Sequence, residues 1–483
     1  MLRFTKSAAL VFFMLAFTFA YFYQIPSTNG NSRLALTMSI VKQGRLNTDT
    51  FNSQSGGYYS LDRAVYKGKI YTDKAIGSSV LAAVVYYPIY TVLHFFGKEL
   101  SATKEQHLLT FLVMGLPSAV TGTLIYILCE YLSKSRFRAF IVTLAIALGT
   151  MCFPFAIIYF GHQLAATLLF GAFFMVFRIK TLPAPARIGN FYTFLIGLLL
   201  GLALLTDLTT AVVVLPIVAY YFYILWTRKL LTWVKIWVFP ALGGLIPILL
   251  MVAYNTLVYG SPFSVGYQYL VDPVFKAAMA KNFLGIGWPN LQVLYYETLQ
   301  PAQGLFWQSP VLIIALGGGY FMLRDKQVWP EFLVATIAFF AYLLLNSGYF
   351  MWWGGWSFGA RQIVPMLPFL CLPLIFVPKK YFPIVIGLTV ISVAQMGIVA
   401  ASRVMVPDDI MSKFSLLSFF QYSTIYSYCL QLLSKGQFGW NIGLTYFGLQ
   451  KWVSLIPVSL VILGTTAIFA WMKPEPQGKS ALS

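Results

Sequence analysis

Charge is scarce in this chain. Charged residues make up 10% of its 483 positions and only 14 are acidic, where a soluble domain carries about 25% charge. That excludes an ordinary water-soluble domain, and the 59% hydrophobic content excludes disorder. Histidine (3) and cysteine (4) are also few. Cys129, Cys152, Cys371 and Cys429 lie mostly in apolar stretches without CxxC or histidine spacing, which gives no basis for a disulfide framework or a metal cluster and says little about compartment. HExxH, P-loop and GxSxG patterns are missing, so zinc peptidase, nucleotide hydrolase and serine hydrolase chemistries have no motif to rest on. No internal repeat of fixed period and no low-complexity tract is apparent.

What is abundant is apolar sequence in runs of about 20 residues, the length that crosses a bilayer as a helix, with a mean hydropathy of +0.75. The chain reads as an all-α, multi-pass membrane protein. Its net charge of +19 fits basic residues gathered in cytoplasmic turns and beside anionic headgroups better than it fits nucleic-acid binding. Arg3 and Lys6 precede an apolar run with no small-x-small cleavage site before Pro26, so the first helix reads as uncleaved with a cytoplasmic N-terminus.

The run 76–96 decides the rest of the topology. If it spans, three basic clusters in succession (Lys134, Arg136, Arg138; Arg178, Lys180, Arg187; Arg228, Lys229, Lys235) face outward, against the positive-inside rule. If it lies in the interface, all three return to the cytoplasm. The second arrangement predicts twelve spans, near 7–23, 107–132, 139–159, 164–177, 191–206, 211–226, 236–259, 305–323, 332–350, 363–377, 382–401 and 452–471, with a thirteenth at 76–96 as the alternative. Both termini are then cytoplasmic, and three long outer segments follow: 24–106, 260–304 and 402–451. A short amphipathic helix is expected at 32–42, lying on the membrane surface before a turn at Gly44.

On this topology Asp49, Asp62, Asp73, Glu99, Glu105, Asp207, Asp272, Glu297, Asp408 and Asp409 all fall outside or at the outer boundary. Simple solvation explains such a distribution as readily as function. The stretch 58–77, YYSLDRAVYKGKIYTDKAIG, is more pointed because it mixes acids, bases and tyrosines immediately before the apolar run. A lipid phosphate at headgroup depth needs a cation such as Lys74 or Arg63, and Asp62 or Asp73 could take a proton from an incoming hydroxyl. A snorkelling basic anchor is the competing reading.

Three segments resemble membrane glycosyltransferases of the family 39 type, the C-type group that contains protein O-mannosyltransferases and aminoarabinose transferases. NSRLALTMSIVKQG (31–44) is similar to that group's surface helix, and GKIYTDKAIG (68–77) to its Lys-Pro-Pro segment, which engages the lipid phosphate. HLLTFLVMGLPSAVTGTLIYILCEYLSKSRF (107–137) looks like the following span and its basic turn. The likeness covers about the first 210 residues, a glycosyltransferase-like core, with 211–483 as a further transmembrane region in which GWSFGARQIVPMLPFL (355–370) resembles a segment of uncharacterised members. The resemblance implies a hexosyl- or pentosyltransferase that moves a sugar from a polyprenyl-phosphate donor to a glycan, lipid or protein acceptor, in the plasma or inner membrane, with its site facing outward. Two departures stand out: Asn29, Gly30 and Asn31 occupy the place of the group's acidic pair, and Ala75 and Ile76 replace Pro-Pro. The base then falls to Asp62, Asp73 or Asp49, in that order, or the chain carries out another reaction.

Other candidates are His162 and Asp207 as ligands of the donor, or else as a capped and a solvated helix end. Trp352, Trp353, Trp356 and Arg361 could stack a sugar and pair with its phosphate, or the tryptophans could be interfacial anchors alone. Tyr267, Tyr269, Glu297 and Gln300 could line an acceptor groove, though packing of the outer segment explains them better. No cofactor is required, although the outer acids could gather a divalent ion. A lipid transporter or flippase without transferase activity is the alternative function. It would be expected to carry polar residues near the midplane in paired halves, whereas the ionisable residues here sit at span ends.

Overall fold

A computed structural model describes residues 2, 4–183, 188–407 and 423–472. Arg3, Arg187, Asp408 and Asp409 lie outside the described residues. The protein is an all-α multi-pass membrane protein. Among the described residues eight helices are long and apolar enough to cross a bilayer: Gly77–Phe95, Ala102–Ser133, Gly161–Thr181, Leu208–Thr227, Val234–Tyr259, Trp329–Ser347, Lys379–Ala401 and Lys451–Trp471. Four shorter apolar helices join them, Lys6–Tyr21, Asn190–Thr206, Val311–Leu323 and Arg361–Ile375. Helices satisfy their own backbone groups, which is why such a sequence folds this way in lipid. The residues on either side of position 210 share one core. The helix pair Asn190–Thr206 and Val234–Tyr259 shows how they pack: Gly197 lies against the Pro240 backbone so closely that any Cβ there would collide with it.

One end of the bundle carries the longer loops and the short strands. Tyr23, just past the first helix, stacks on His107 with ring centroids 4.7 Å apart and pairs in a two-stranded ladder with Trp440. Tyr159 donates to the Ser78 carbonyl at 2.9 Å. Gly77 abuts Thr206, so the start of Gly77–Phe95 sits level with the ends of several helices. Further along the same helix, Tyr86 donates to Glu105, which also accepts from Tyr58 and, at 2.6 Å, from Lys42. The first half of this helix is therefore tied to the loop-bearing end rather than to the length of the bundle. Glu105 is only 2% exposed, so it is a buried knot and not the solvated acid its distribution suggested.

Several expectations about single elements are corrected. The predicted surface helix at 32–42 runs over Thr28–Met38, capped by the Ser27 side chain on Gly30 N. It continues through one wider turn, Ser39–Gln43, and stops at Gly44 in the left-handed region. It is buried on nearly every face, beneath Gly77–Phe95 and against Tyr159. The span expected at 139–159 is broken: Arg136–Ala147 ends at Leu148, a single turn Cys152–Ala156 follows, and the chain then runs without helix to Phe160. Local capping drives the break, because Thr150 Oγ1 receives Cys152 N at 3.2 Å while donating to Ile146 O. The next helix accordingly starts at Gly161, three residues before the expected 164, and His162 lies in its first turn rather than at the end of the preceding span. The segment expected at 363–377 is a 3₁₀ run Arg361–Leu370 followed by Cys371–Ile375, since Pro365, Pro368 and Pro373 withhold donors from a regular α-helix. The run expected at 305–323 is interrupted at Ser309 and Pro310. All four cysteines are free and buried.

At the opposite end the basic turns have structural work. Arg228 donates to the carbonyls of Lys180 and Leu182 at 3.0 and 2.8 Å, and Arg138 to those of Ile375 and Val377 at 2.8 and 2.6 Å. These contacts satisfy carbonyls that helix ends leave orphaned.

Candidate active site

The site begins with a hairpin. Ala64–Tyr66 and Lys69–Tyr71 pair antiparallel in the register Ala64 to Tyr71, Val65 to Ile70 and Tyr66 to Lys69. The turn is made by Lys67 and Gly68, both at positive φ (48° and 75°), the conformation that two-residue hairpins prefer. Continuing that register by two residues brings Asp62 opposite Asp73. The two carboxylates, eleven positions apart in sequence, thus meet around the ammonium of Lys74, which lies 3.0 Å from Asp62 Oδ2 and 2.7 Å from Asp73 Oδ2.

The two acids are not equivalent. The Asp62 side chain is 31% exposed and that of Asp73 is 2% exposed. Burial pushes the Asp62 carboxyl up, but Lys74 and then Arg361 outweigh it and hold the group below the usual carboxylate range. For Asp73 burial prevails over Lys74, with the nearby Asp62 charge adding to it, so its carboxyl is raised. Burial works against the Lys74 ammonium, yet the two carboxylates keep it firmly charged. Asp73 also accepts from Ser32 Oγ at 3.3 Å, and Ser32 shares a 2.9 Å hydrogen bond with Thr72. The buried helix Thr28–Met38 therefore supports the hairpin from below.

Two arginines complete the positive side. Arg33, 5% exposed, donates to Ala75 O at 2.8 Å, Ser78 Oγ at 3.2 Å and Asn29 Oδ1 at 3.1 Å. Arg361 lies over the Phe160 ring, 4.7 Å from its centroid, within electrostatic reach of Asp62, Tyr349, Arg33 and Tyr267. Neither arginine forms an ion pair among the described residues. A third group is the pair His162 Nδ1 and Asp207 Oδ2, 2.7 Å apart, with Asp207 Oδ1 accepting from Thr209 N and Oγ1 at 3.0 and 2.7 Å.

Of the residues singled out in the sequence, Asp62, Asp73, Lys74, His162, Asp207 and Arg361 are brought together at the loop-bearing end. Asp49 is not: its Oδ1 accepts from Ile70 N at 2.8 Å and latches the outside of the hairpin. Arg63 turns away to lie over the Tyr59 ring, 6.0 Å from its centroid. Trp353 packs against the main core and Trp356 is 56% exposed. Arg33, Tyr267 and Tyr349 join the cluster without having been marked as phosphate-site residues. Arg33 was hidden inside a segment read as a surface helix.

Beside Asp73 and Lys74 opens a cleft whose walls include Ile76, Leu205, Met251 and Tyr254. Lys74, beside the Asp73 carboxylate, lies at one end, and apolar side chains make much of the remaining wall, an arrangement that suits an amphipathic ligand with an anionic head. Among the described residues no group of three or more His, Cys, Asp or Glu side chains is placed to share a metal ion.

No protein-family model and no curated protein matches this sequence. Solved structures do. The crystal structure of ArnT from Cupriavidus metallidurans bound to undecaprenyl phosphate superposes with a TM-score of 0.50 at 14% identity, covering 96% of this chain and 74% of that one. The chain has the C-type membrane glycosyltransferase fold. The same ArnT in its apo state aligns at 14% identity over 96% of this chain and 72% of its own, with a TM-score of 0.49. The C-type fold was the expectation drawn from the resemblance in 31–44, 68–77 and 107–137, and the superposition extends it beyond residue 210 to nearly the whole chain.

Proposed function

We propose that the protein transfers a sugar from a polyprenyl-phosphate donor to an acceptor hydroxyl at the loop-bearing end, on the extracytoplasmic face of the membrane. The observation that carries this reading is the charge arrangement around Lys74: an ammonium between Asp62 and Asp73, two nearby arginines that form no ion pair among the described residues, and a largely apolar cleft starting at Lys74. The lipid phosphate would sit against Lys74, Arg33 and Arg361, with its isoprenoid chain along the apolar walls. The ArnT structure with undecaprenyl phosphate supports a polyprenyl lipid as the ligand class.

The chemistry needs one base and a stabilised leaving group. Asp62, ionised and partly accessible, accepts the proton of the acceptor hydroxyl while its oxygen forms a bond to the anomeric carbon. The bond from that carbon to the phosphate oxygen breaks, and its electron pair leaves on the lipid phosphate. Three cationic groups hold the resulting charge. Lys74 already bridges the two acids, so a divalent ion is not needed between them, and chelators such as EDTA are expected to leave transfer intact. His162, held by Asp207, faces the same space and is assigned to the sugar or phosphate of the donor.

The test is transfer from radiolabelled polyprenyl-phosphate sugars into membranes containing the purified chain, run beside a liposome flipping assay. Wild-type protein is expected to transfer label, and Lys74→Ala to insert normally but transfer nothing. Full turnover by Lys74→Ala, or flipping without transfer by the wild type, would overturn the reading.

A further inference from the structure

The cleft beside Asp73 and Lys74 contains a polar group that the fold leaves unused. Tyr254, on the helix Val234–Tyr259, is one of its lining residues and keeps 7% exposure. Its hydroxyl makes no hydrogen bond among the described residues. A buried phenol without a partner has given up its bonds to water for nothing in return, and native structures keep few such groups. By contrast, Lys74 bridges the two acids, the Asn255 amide donates to Pro262 O at 3.2 Å, and the Tyr259 hydroxyl donates to Thr72 O at 3.4 Å.

Packing does not call for the hydroxyl. The Tyr254 ring shares an apolar cluster with Leu36, Ile76, Leu205, Val258 and Tyr259, a position that a phenylalanine ring would fill equally well. What the hydroxyl lacks is a partner, and the cleft is where a ligand could bring one.

The surroundings of Tyr254 say which ligand atom that is. It packs with Ile76 and Leu205 of the apolar wall, with Met251 against the same cluster, and it lies within electrostatic reach of the Asp73 carboxylate that holds Lys74. It therefore stands where the apolar wall meets the charged end. In a polyprenyl phosphate the oxygens at that boundary are those of the phosphate, because the hydrocarbon chain has none and the sugar lies beyond. An ionised phosphate oxygen only accepts, and the phenol has a hydrogen to donate; a bond to an anionic acceptor is also the stronger kind. The free space in the cleft is about 40 Å³, against roughly 10–15 Å³ for a single water, which leaves room for a group of several oxygens.

We propose that Tyr254 is a further contact of the donor lipid: its hydroxyl donates to a phosphate oxygen where the polyprenyl chain joins the head, and so seats the leaving group against Lys74. The identity of the lipid rests on the transferase reading above. The full chain in detergent, as wild type and as Tyr254→Phe, is titrated with undecaprenyl phosphate and with undecaprenol, which has the same chain and no phosphate, and is melted without lipid. Wild type is expected to bind the phosphate lipid more tightly than the alcohol. Tyr254→Phe is expected to bind undecaprenyl phosphate about tenfold or more weakly, the scale of a hydrogen bond to a charged group. It is expected to bind undecaprenol within about twofold of wild type, and to keep or raise the lipid-free Tm, because an unpartnered buried hydroxyl has been removed. A lower Tm would show that the hydroxyl has a structural partner, and unchanged affinity for undecaprenyl phosphate would show that it meets no phosphate; either result overturns the proposal. So does an equal loss for both lipids, which would put the effect in packing against the chain. A wild type that binds undecaprenyl phosphate no more tightly than undecaprenol instead overturns the transferase reading, whose phosphate site would then be missing, and the Tyr254 contact falls with it.

Discussion

His162 Nδ1 and Asp207 Oδ2 lie 2.7 Å apart, joining the first turn of one long helix to the residue between two others. Asp207 is itself fixed by Thr209 through both N and Oγ1. The carboxylate therefore sets the tautomer with the proton on Nδ1 and presents Nε2 to the site. Replacing Asp207 by Asn removes that control while leaving the ring in place. Asp207→Asn and His162→Ala are each expected to lower transfer by about 10- to 100-fold, the scale of a hydrogen bond to a charged group. If the two act as a unit, the double variant is no worse than His162→Ala alone, as a double-mutant cycle on kcat/KM will read. Additive losses would mean that the two residues act separately.

Asp62 and Asp73 give a second test because the hairpin pairs them while their surroundings separate them. The Asp62 carboxyl is held low, so it remains ionised as pH falls through the usual carboxylate range. With donor saturating, kcat is expected to stay level from neutral pH to below about 4, the ordinary aspartate value, before protonation of the base stops it, while donor binding already weakens at a higher pH, where the raised Asp73 carboxyl takes its proton. Asp62→Asn is expected to cost about 100-fold or more in kcat. Asp73→Asn is expected to act through the position of Lys74 and to weaken lipid-phosphate binding instead. An acid limb centred near pH 6 would point to a different base.

Glu297 makes stability depend on pH in the opposite sense from a salt-bridged acid. Burial raises its carboxyl to about 8 in the folded chain, against about 4.3 for an exposed glutamate. The folded state thus holds a proton that the unfolded state has already lost. Its stabilising contribution is full below the unfolded value and declines as pH rises through the folded one, by at most about 1.4 kcal/mol per pH unit. Thermal melts of wild type and Glu297→Gln in detergent between pH 5 and 8 are expected to diverge, with the wild type losing more Tm on the way up. Parallel curves would show that the carboxyl titrates normally.

What the sequence made legible follows from local rules. Apolar runs fixed the fold class, and the short likeness at 68–77 pointed at Lys74. The meeting of Asp62 and Asp73 was not readable, since Lys67-Gly68 is not one of the dipeptides that mark a two-residue hairpin and the register that aligns the two acids shows only in the fold. Asp49 and Asp62 were indistinguishable by type and separate only by direction, one onto the Ile70 amide and one onto Lys74. Arg33 and Tyr349 reach the site from elements far apart in sequence, a juxtaposition that no local pattern encodes. The helix Thr28–Met38 misled because its polar residues, normally a sign of a wet face, are used inward: Ser32 on Asp73, Thr37 on Ser79 O and Arg33 on Ser78.

The same inward use of polar groups holds the loop-bearing end together at Glu105, where Lys42, Tyr58 and Tyr86 converge. Lys42→Met leaves a nearly buried carboxylate without its cation. Breaking a fully buried pair costs about 3–5 kcal/mol, and because the Lys42 side chain keeps 22% exposure the loss is expected to be nearer 1–3 kcal/mol. Lys42→Met combined with Glu105→Gln is expected to recover part of that loss, since no charge is then stranded. A double variant less stable than Lys42→Met in detergent melts would show that the tyrosine hydrogen bonds, and not the ion pair, carry the knot.

The placement of Gly77–Phe95 sets which side of the membrane the site faces. By length and composition it is able to cross a bilayer. Its first half, however, is bound to Arg33, Glu105 and Thr206 at one end of the bundle, while Val84, Tyr87, Val92 and Phe95 are exposed, as a helix bedded in lipid headgroups would leave them. If it lies there, the turns at Lys134 and Arg228 are on the cytoplasmic side with the other basic clusters. Lys134→Cys and Arg228→Cys, each in a background with the four native cysteines replaced, are then expected to resist a membrane-impermeant maleimide in intact cells and to react after permeabilisation. Labelling of both from outside would invert the topology and turn the Lys74 site toward the cytoplasm.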